Sequence, residues 1–334
     1  MLSLLFLLAT AAPDSLPVRV AVDSARHTVL LTAGPFTIAG ADPHAAHHGG
    51  GHGHGHADEL PVLDFAWPLD GWLRGVALEL TDAAGRPLPR RLVHHINVVN
   101  FGRRQLFYPA VERTLALGQE TEDITLPKTV GVPVSRGMPM GLILAWHNPD
   151  TMAVTGVTVR LRLTWTPTNQ VPRPVSVLPA YLDVVDPVAS PVDFDLPAGP
   201  QRFAADHAMP IPARIIGVSG HVHDYGLDIT LDALRGTNPS RVLRVATRRD
   251  AGGRVLGVER QLPGVRGRGI KLEAGTTYRV TGRYDNPTGR TIAKGAMVHL
   301  VMLVAPERMD DWPAVDPGDA RYARDVAWLR GRGK

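Results

Sequence analysis

Fourteen histidines are spread along the chain, and eight of them, at positions 27, 94, 95, 147, 207, 221, 223 and 299, lie outside a Gly/His-rich tract. Several fall inside apolar, strand-like runs, where an imidazole without a partner is costly to bury. Their clustering there points to a shared task. His221 and His223 form an H-x-H pair. On a strand, side chains at i and i+2 share a face, so both rings can reach one ion. Read alone, the pair is equally compatible with two unrelated polar positions. Met297 lies in AMVHLVML, read as a core strand of the same half. Most methionines in such a run are packing, but a thioether beside two imidazoles favours Cu(I) over zinc or magnesium. His299 shares the Met297 face by the same alternation, as a fourth ligand, a hydrogen-bonding neighbour or a core polar residue.

A second set lies earlier in the chain. His94 and His95 are adjacent, and neighbours on a regular strand point to opposite faces. Joint coordination therefore requires a bulge or local twist, and otherwise only one of them is a ligand. His147, in AWHNP, sits at a strand end before a turn, where a side chain can project past the sheet edge. Three imidazoles suit copper and zinc equally. The chain has no cysteine, which excludes disulfides, thiolate metal sites and cysteine nucleophiles. No G-x-x-x-x-G-K-[ST], G-x-S-x-G or H-E-x-x-H motif is present. Glycine-rich pieces such as GVRGRG lack the strand-turn-helix setting that phosphate binding requires.

These side chains need a frame to hold them. The chain has 334 residues, enough for about two domains. With 34 Gly and 29 Pro, strands should be short and turns many. The expected class is all-β, with two tandem β-sandwich domains. Residues 1–12, MLSLLFLLATAA, read as a signal segment with cleavage near Ala11 or Ala12. Residues 13–59 hold a strand pair (Val18 to Ile38) and the Gly/His tract at 44–59, which carries six histidines and no apolar periodicity. Residues 60–168 and 169–308 form the two sandwiches, joined through the Pro-rich stretch 166–176. Residues 309–334 are a C-terminal tail with a short amphipathic helix. The two blocks echo each other: GLILAWHNP and YRVTGRYDNP each place a strand before an Asn-Pro turn, with a further strand after it.

The formal charge of +4 comes from 36 basic residues scattered among 32 acidic ones. Without a basic stripe, a nucleic-acid partner is not expected. The apolar leader is too short to span a bilayer, so no stable membrane span is expected either. Secretion or a periplasmic location is.

The ordered set His94-His95, His147, His221-x-His223, Met297 resembles that of the copper type II, ascorbate-dependent monooxygenases, which include the peptidylglycine α-hydroxylating and dopamine β-monooxygenase enzymes. VHHINVVNFG, LPKTVGVPV followed by LILAWHNP, GHVHDYG and KGAMVHLVMLV carry the likeness, over about residues 60 to 306. The resemblance implies two tandem jelly-roll-like β-sandwich domains with one copper in each, two per chain. His94, His95 and His147 would hold an electron-transfer copper. His221, His223 and Met297 would hold the copper at which O2 is activated to hydroxylate a C–H bond, with ascorbate as reductant. The departures concern the substrate, small molecule or peptide. Ser219 stands where peptide-amidating members have arginine, and His299 and Val301 replace the polar residues that follow the ligand methionine. That argues against a carboxylate-terminated peptide. The flanking cysteines of animal members are absent, and HHI replaces HHM. The main alternative is a non-enzymatic copper-binding or buffering protein on the same scaffold, to which the Gly/His tract would contribute. A third reading is a β-sandwich scaffold with incidental histidines.

Overall fold

The computed structural model describes residues 18–41, 62–119, 121–235, 238–264 and 268–331. The signal-like segment and the Gly/His tract lie outside them. Strand makes up 58% and helix 6%, so the chain is all-β as its turn-rich composition requires.

The strands fall into two consecutive groups that pair only within themselves. The first comprises Arg19–Asp23 (β1), Thr28–Ile38 (β2), Leu63–Ala66 (β3), Gly71–Thr81 (β4), Val93–Arg104 (β5), Val111–Gly118 (β6), Ile124–Thr125 (β7), Val130–Val134 (β8), Pro139–Trp146 (β9), Val154–Pro167 (β10) and Val175–Ser176 (β11). One sheet runs β1-β2-β10-β4-β8-β11, with β7 also on β4, and the other runs β3-β9-β5-β6. The expected strand pair at Val18 to Ile38 is β1 and β2. Alternation decides what is buried: Val157, Val159, Leu161 and Leu163 of β10 and Ile96 and Val98 of β5 all enter one core. The Pro-rich stretch 166–176 is tied down at both ends. It begins inside β10, and Val175 and Ser176 pair in parallel with β8.

The second group comprises Leu178–Asp183 (β12), Phe194–Leu196 (β13), Gly199–Ala208 (β14), Ala213–Val222 (β15), Gly226–Arg235 (β16), Asn238–Arg249 (β17), Val255–Val258 (β18), Ile270–Leu272 (β19), Thr277–Asn286 (β20), Ile292–Ala296 (β21) and Val298–Pro306 (β22). Its sheets run β12-β22-β15-β19, β14-β20-β16-β17-β18 and β13-β21.

The internal echo has a common physical device. Each Asn-Pro turn takes the chain from one sheet to another, β9 to β10 and β20 to β21, and in each the asparagine side chain closes the turn. Asn148 Oδ1 accepts from Asp150 N at 3.1 Å while its Nδ2 donates to Met152 O at 2.9 Å. Asn286 Oδ1 accepts from Thr288 N at 3.1 Å while its Nδ2 donates to Arg290 O at 2.8 Å. Both are buried, where an amide must find its partners.

The run MGLILAW in β9 is buried at every position. Leu142 and Leu144 face the main core, whereas Ile143 joins Val99 and Val111 under the C-terminal helix Ala320–Gly331 (α1). The expected tail therefore packs back on the first group. Asp319 Oδ1 caps α1 by accepting from Arg321 N at 2.8 Å. Asp325 receives Arg113 through two bonds of 2.7 and 2.9 Å, and Val111 N at 2.8 Å. Tyr322 donates to Phe101 O at 2.9 Å, and Trp312 Nε1 donates to Arg104 O at 2.9 Å.

Removing one partner of a buried ion pair strands the other, at a cost of about 3 kcal/mol or more. Asp325→Asn is expected to lower the denaturant midpoint by that equivalent with an unchanged slope. A midpoint equal to the parent's would show that α1 does not depend on this pair.

Candidate metal centre

The first histidine set is shaped by a bulge. On β5, Val93 pairs with Trp146 of β9, and His95 with Ala145, so His94 is the extra residue. The two rings, which strict alternation would send to opposite faces, lie with centroids 4.9 Å apart at 46°. His147 continues the ladder by one step, its N–H donating to Leu92 O at 2.9 Å. It leaves β9 beside the strand segment that carries His94. All three are half-buried. Among the described residues no three His, Asp or Glu side chains are gathered into a metal shell. The structure thus joins His94 to His95 and sets His147 next to their strand without drawing all three rings to one point.

The second set lies where β15 ends and β22 begins. His221 pairs directly with His299, and Val222 with Val298, so the next positions across the ladder are His223 and Met297. The rings of His221 and His223 stand 5.5 Å apart at 83°, on one face as the i, i+2 spacing requires. Met297 is not the core strand residue its surroundings suggest. It occupies the one-residue break between β21 and β22 and is half-buried, with Ala296 and Val298 buried on either side.

One phenol fixes this end of the ladder. Tyr284 reaches across from β20 in the facing sheet. Its hydroxyl accepts from His223 N at 3.2 Å and Met297 N at 3.1 Å, and it donates to Met297 O. Burial raises its pKa far above the ordinary phenol value, so the donated proton stays in place. His223 is oriented further by Lys294 O, 3.1 Å from its Nδ1. A carbonyl only accepts, so Nδ1 carries a proton, and Nε2 is the nitrogen whose lone pair a metal would take. Lys294 has φ +52°, and Tyr225, two residues after His223, has φ +68°. Two of the three non-glycine residues with positive φ among those described therefore border His223. Such backbone costs on the order of 1 kcal/mol each and persists where surrounding contacts hold it. Asp195 Oδ1, accepting from Lys294 N at 3.0 Å, is one such contact. Two imidazoles set side by side, one with its tautomer fixed, and a half-buried thioether opposite make a donor set that fits Cu(I).

His299 joins a different pair. Its Nδ1 is 2.7 Å from Asp183 Oδ1, and its ring lies 4.6 Å from that of Tyr181. Asp183 is buried, and its N–H donates to Tyr108 Oη at 3.0 Å. Its carbonyl accepts from His207 Nε2 at 2.9 Å. His207 is packed edge-on against Phe107 and Tyr108. Burial pulls the His207 pKa below its ordinary 6.5, outweighing the opposing hydrogen bond to Asp183 O. His27 sits in the turn before β2, 5.2 Å from Trp165, and belongs to neither set. Tyr284, Asp183 and Tyr181 carry none of the sequence patterns used to find the ligands. The one available signal was a carboxylate inside the apolar run LPAYLDVV.

No protein-family model matches the chain, and no curated protein matches it. Among solved structures, the mavirus major capsid protein is similar over 91% of this chain and 93% of its own, at 10% identity and a TM-score of 0.29. A structure of Sulfolobus Turreted Icosahedral Virus is similar over 75% and 59%, at 9% identity and 0.20. The 11S allergen of Cocos nucifera L. is similar over 85% and 82%, at 7% and 0.13. Superpositions at these scores bear on neither the site nor its chemistry.

Two outcomes follow from this geometry. Tyr284→Phe removes one acceptor shared by two half-buried N–H groups, and should lower unfolding free energy by about 1–3 kcal/mol. A denaturation curve within experimental error of the parent would refute the bridging role. His207 binds a proton less readily folded than unfolded, so its contribution to stability is complete above pH 6.5 and is lost as pH falls through the folded value. His207→Gln should flatten the stability profile below that pH, and an unchanged slope would place the acid sensitivity elsewhere.

Proposed function

We propose that this chain is a copper-dependent, ascorbate-reduced monooxygenase acting outside the cytoplasm. The observation that carries the reading is the join of β15 and β22, where His221 and His223 stand together and Tyr284 pins His223 and Met297 by their backbones. An imidazole pair with a thioether is chosen for a copper that visits the Cu(I) state. His94, His95 and His147 would hold a second copper as a one-electron store. In the overall reaction a substrate C–H bond and O2 give an alcohol and water. Two electrons from ascorbate and two protons complete the balance. Bound copper would supply the one-electron steps and the position at which O2 is reduced. The chain's own part is to hold His223 in a single tautomer and to keep Met297 at the strand break.

A copper-binding or buffering protein without turnover is the second reading. It is favoured by the departures at Ser219, His299 and Val301, which replace the residues that read substrate in the family resembled, and by the Gly/His tract. Such a protein needs no store of electrons, and one well-formed site would serve it.

Copper analysis on protein lacking residues 44–56 tests both readings, since removal of most of the Gly/His tract suppresses promiscuous binding. The monooxygenase reading expects about two coppers per chain, with about one lost in Met297→Ala and about one in His147→Ala. One copper that disappears only in Met297→Ala would favour the buffering reading. Little specific copper would refute both.

A further inference from the structure

We propose that β14 is a homodimer interface, pairing antiparallel with β14 of a second copy of this chain about a twofold axis at Ala204. The pairing does not depend on a bound metal. β14 is the edge of the sheet β14-β20-β16-β17-β18. It pairs with β20 over its whole length, Gly199 to Ala208, without a register shift. No other edge strand among the described residues is as long. The next, β6, has 8 residues and its ladder on β5 is shifted twice, and β12 has 6, all buried. Short length, bulges and burial are the ordinary ways in which a sheet end is kept from pairing with another chain. β14 has one such device, Pro200 at its second position. Outside the ladder with β20, no backbone group of residues 200–208 is bonded to another backbone group among the described residues.

The occupant follows from the pattern of the strand itself. Pro200, Arg202, Ala204, Asp206 and Ala208 are exposed, and Gln201, Phe203, Ala205 and His207 are half-buried on the opposite face. Opposed residues of an antiparallel pair project to the same face, so two copies can meet only where the opposed residue numbers have an even sum. Two such registers use nearly the whole strand, with the axis at Phe203 or at Ala204. Charge decides between them. With the axis at Ala204, Arg202 of each copy stands opposite Asp206 of the other. With the axis at Phe203, Arg202 meets Ala204 and Asp206 meets Pro200. Within one copy Arg202 lies opposite Arg283, a like charge already committed to Asp228, and has no acidic partner of its own among the described residues. Asp206 is held by Arg279 through bonds of 2.6 and 2.7 Å, yet its side chain remains 41% exposed. A carboxylate has acceptor sites to spare for a second guanidinium, so the row from Arg279 to Asp206 continues across the join to Arg202 of the second copy. On the other face Phe203, packed edge-on against Phe194, meets Ala205 of the second copy on each side of the axis. The interface is isologous, and it joins two 5-stranded sheets into one.

Analytical ultracentrifugation of the full chain tests this, in a chelator so that the Gly/His tract cannot bridge copies through metal. The parent is expected to show a concentration-dependent monomer–dimer equilibrium. Ala204 is exposed and meets itself on the axis, so Ala204→Glu sets two carboxylates face to face and should raise the dimer dissociation constant about tenfold or more. Arg202→Glu makes the edge acidic and Asp206→Lys makes it basic. Each alone should sediment as a monomer where the parent is a dimer. An equimolar mixture of the two should dimerise again, because every opposed pair is then of unlike charge. A parent that stays monomeric throughout the micromolar range overturns the interface. A dimer that Ala204→Glu leaves unchanged lies elsewhere on the molecule and overturns it too. One that Ala204→Glu tightens has its axis at Phe203, with residue 204 facing Arg202, and overturns the register. A mixture that stays monomeric overturns the pairing of Arg202 with Asp206, and if Asp206→Lys does not fold, Arg202→Glu and Ala204→Glu decide.

Discussion

The register between β15 and β22 is the constraint on which the site depends. Along these strands the side-chain period is two, so a slip of one residue would turn His221 and His299 into the core and bring Val222 and Val298 out. Burial of Val222, Val298, Leu300 and Met302 opposes such a slip. The spacing between facing sheets is set at the same level. A Cβ on Gly282 would come within 2.3 Å of Val298 Cγ2, and one on Gly220 within 2.6 Å of Ile229 Cδ1. Two glycines thus bring the sheets close enough for the phenol of Tyr284 to cross from one to the other. Pleat, glycine contact and a single hydroxyl act together on His223 and Met297.

A different kind of link joins the two groups of strands. Tyr108 comes from the first group and accepts the backbone N–H of Asp183 in the second, while its ring stacks on Tyr181 at 5.7 Å. Arg113 of the first group is bonded to Asp325 of α1, which follows the second. Buried polar groups of this sort contribute little net stability, because desolvation consumes most of the attraction. Their effect is orientation: an Asp183 displaced from Tyr108 or an Arg113 displaced from Asp325 leaves a charge or a donor buried alone. The cost of misplacement keeps the groups in register with each other.

The parts of the site that follow from periodicity were legible in the sequence. The shared face of His221 and His223 is a direct consequence of strand spacing. Alternation would send His94 and His95 to opposite faces, and the bulge at His94 brings their rings together instead. A bulge is decided by how two strands accommodate each other, which one strand's sequence does not encode. Met297 was read as core strand because its neighbours are apolar, yet the chain breaks there between two strands. Tyr284 was not legible at all, since its partners are backbone groups that every residue possesses. The continuous burial of β9 has the same kind of cause: its second apolar face is explained by a helix nearly 180 residues later in the chain, at Ala320–Gly331.

The contrast between the two histidine sets bears on how the proposed chemistry would be divided. At the thioether set, the carbonyl of Lys294 orients the His223 ring, and a phenol with strained peptide units nearby holds the backbone of His223 and Met297. A centre that must bind O2 without moving its protein ligands benefits from such preorganisation. At the other set the bulge brings the rings of His94 and His95 close, and His147 follows the end of β9. Binding that organises its own ligands releases less free energy and tolerates more than one geometry. A store of single electrons, which alternates between two oxidation states with different preferred geometries, is the role in which that tolerance is useful. The same looseness is a fault in a centre that must position oxygen against one C–H bond. The backbone contacts that Tyr284 makes at the end of β15 are the fold's own contribution to that preorganisation.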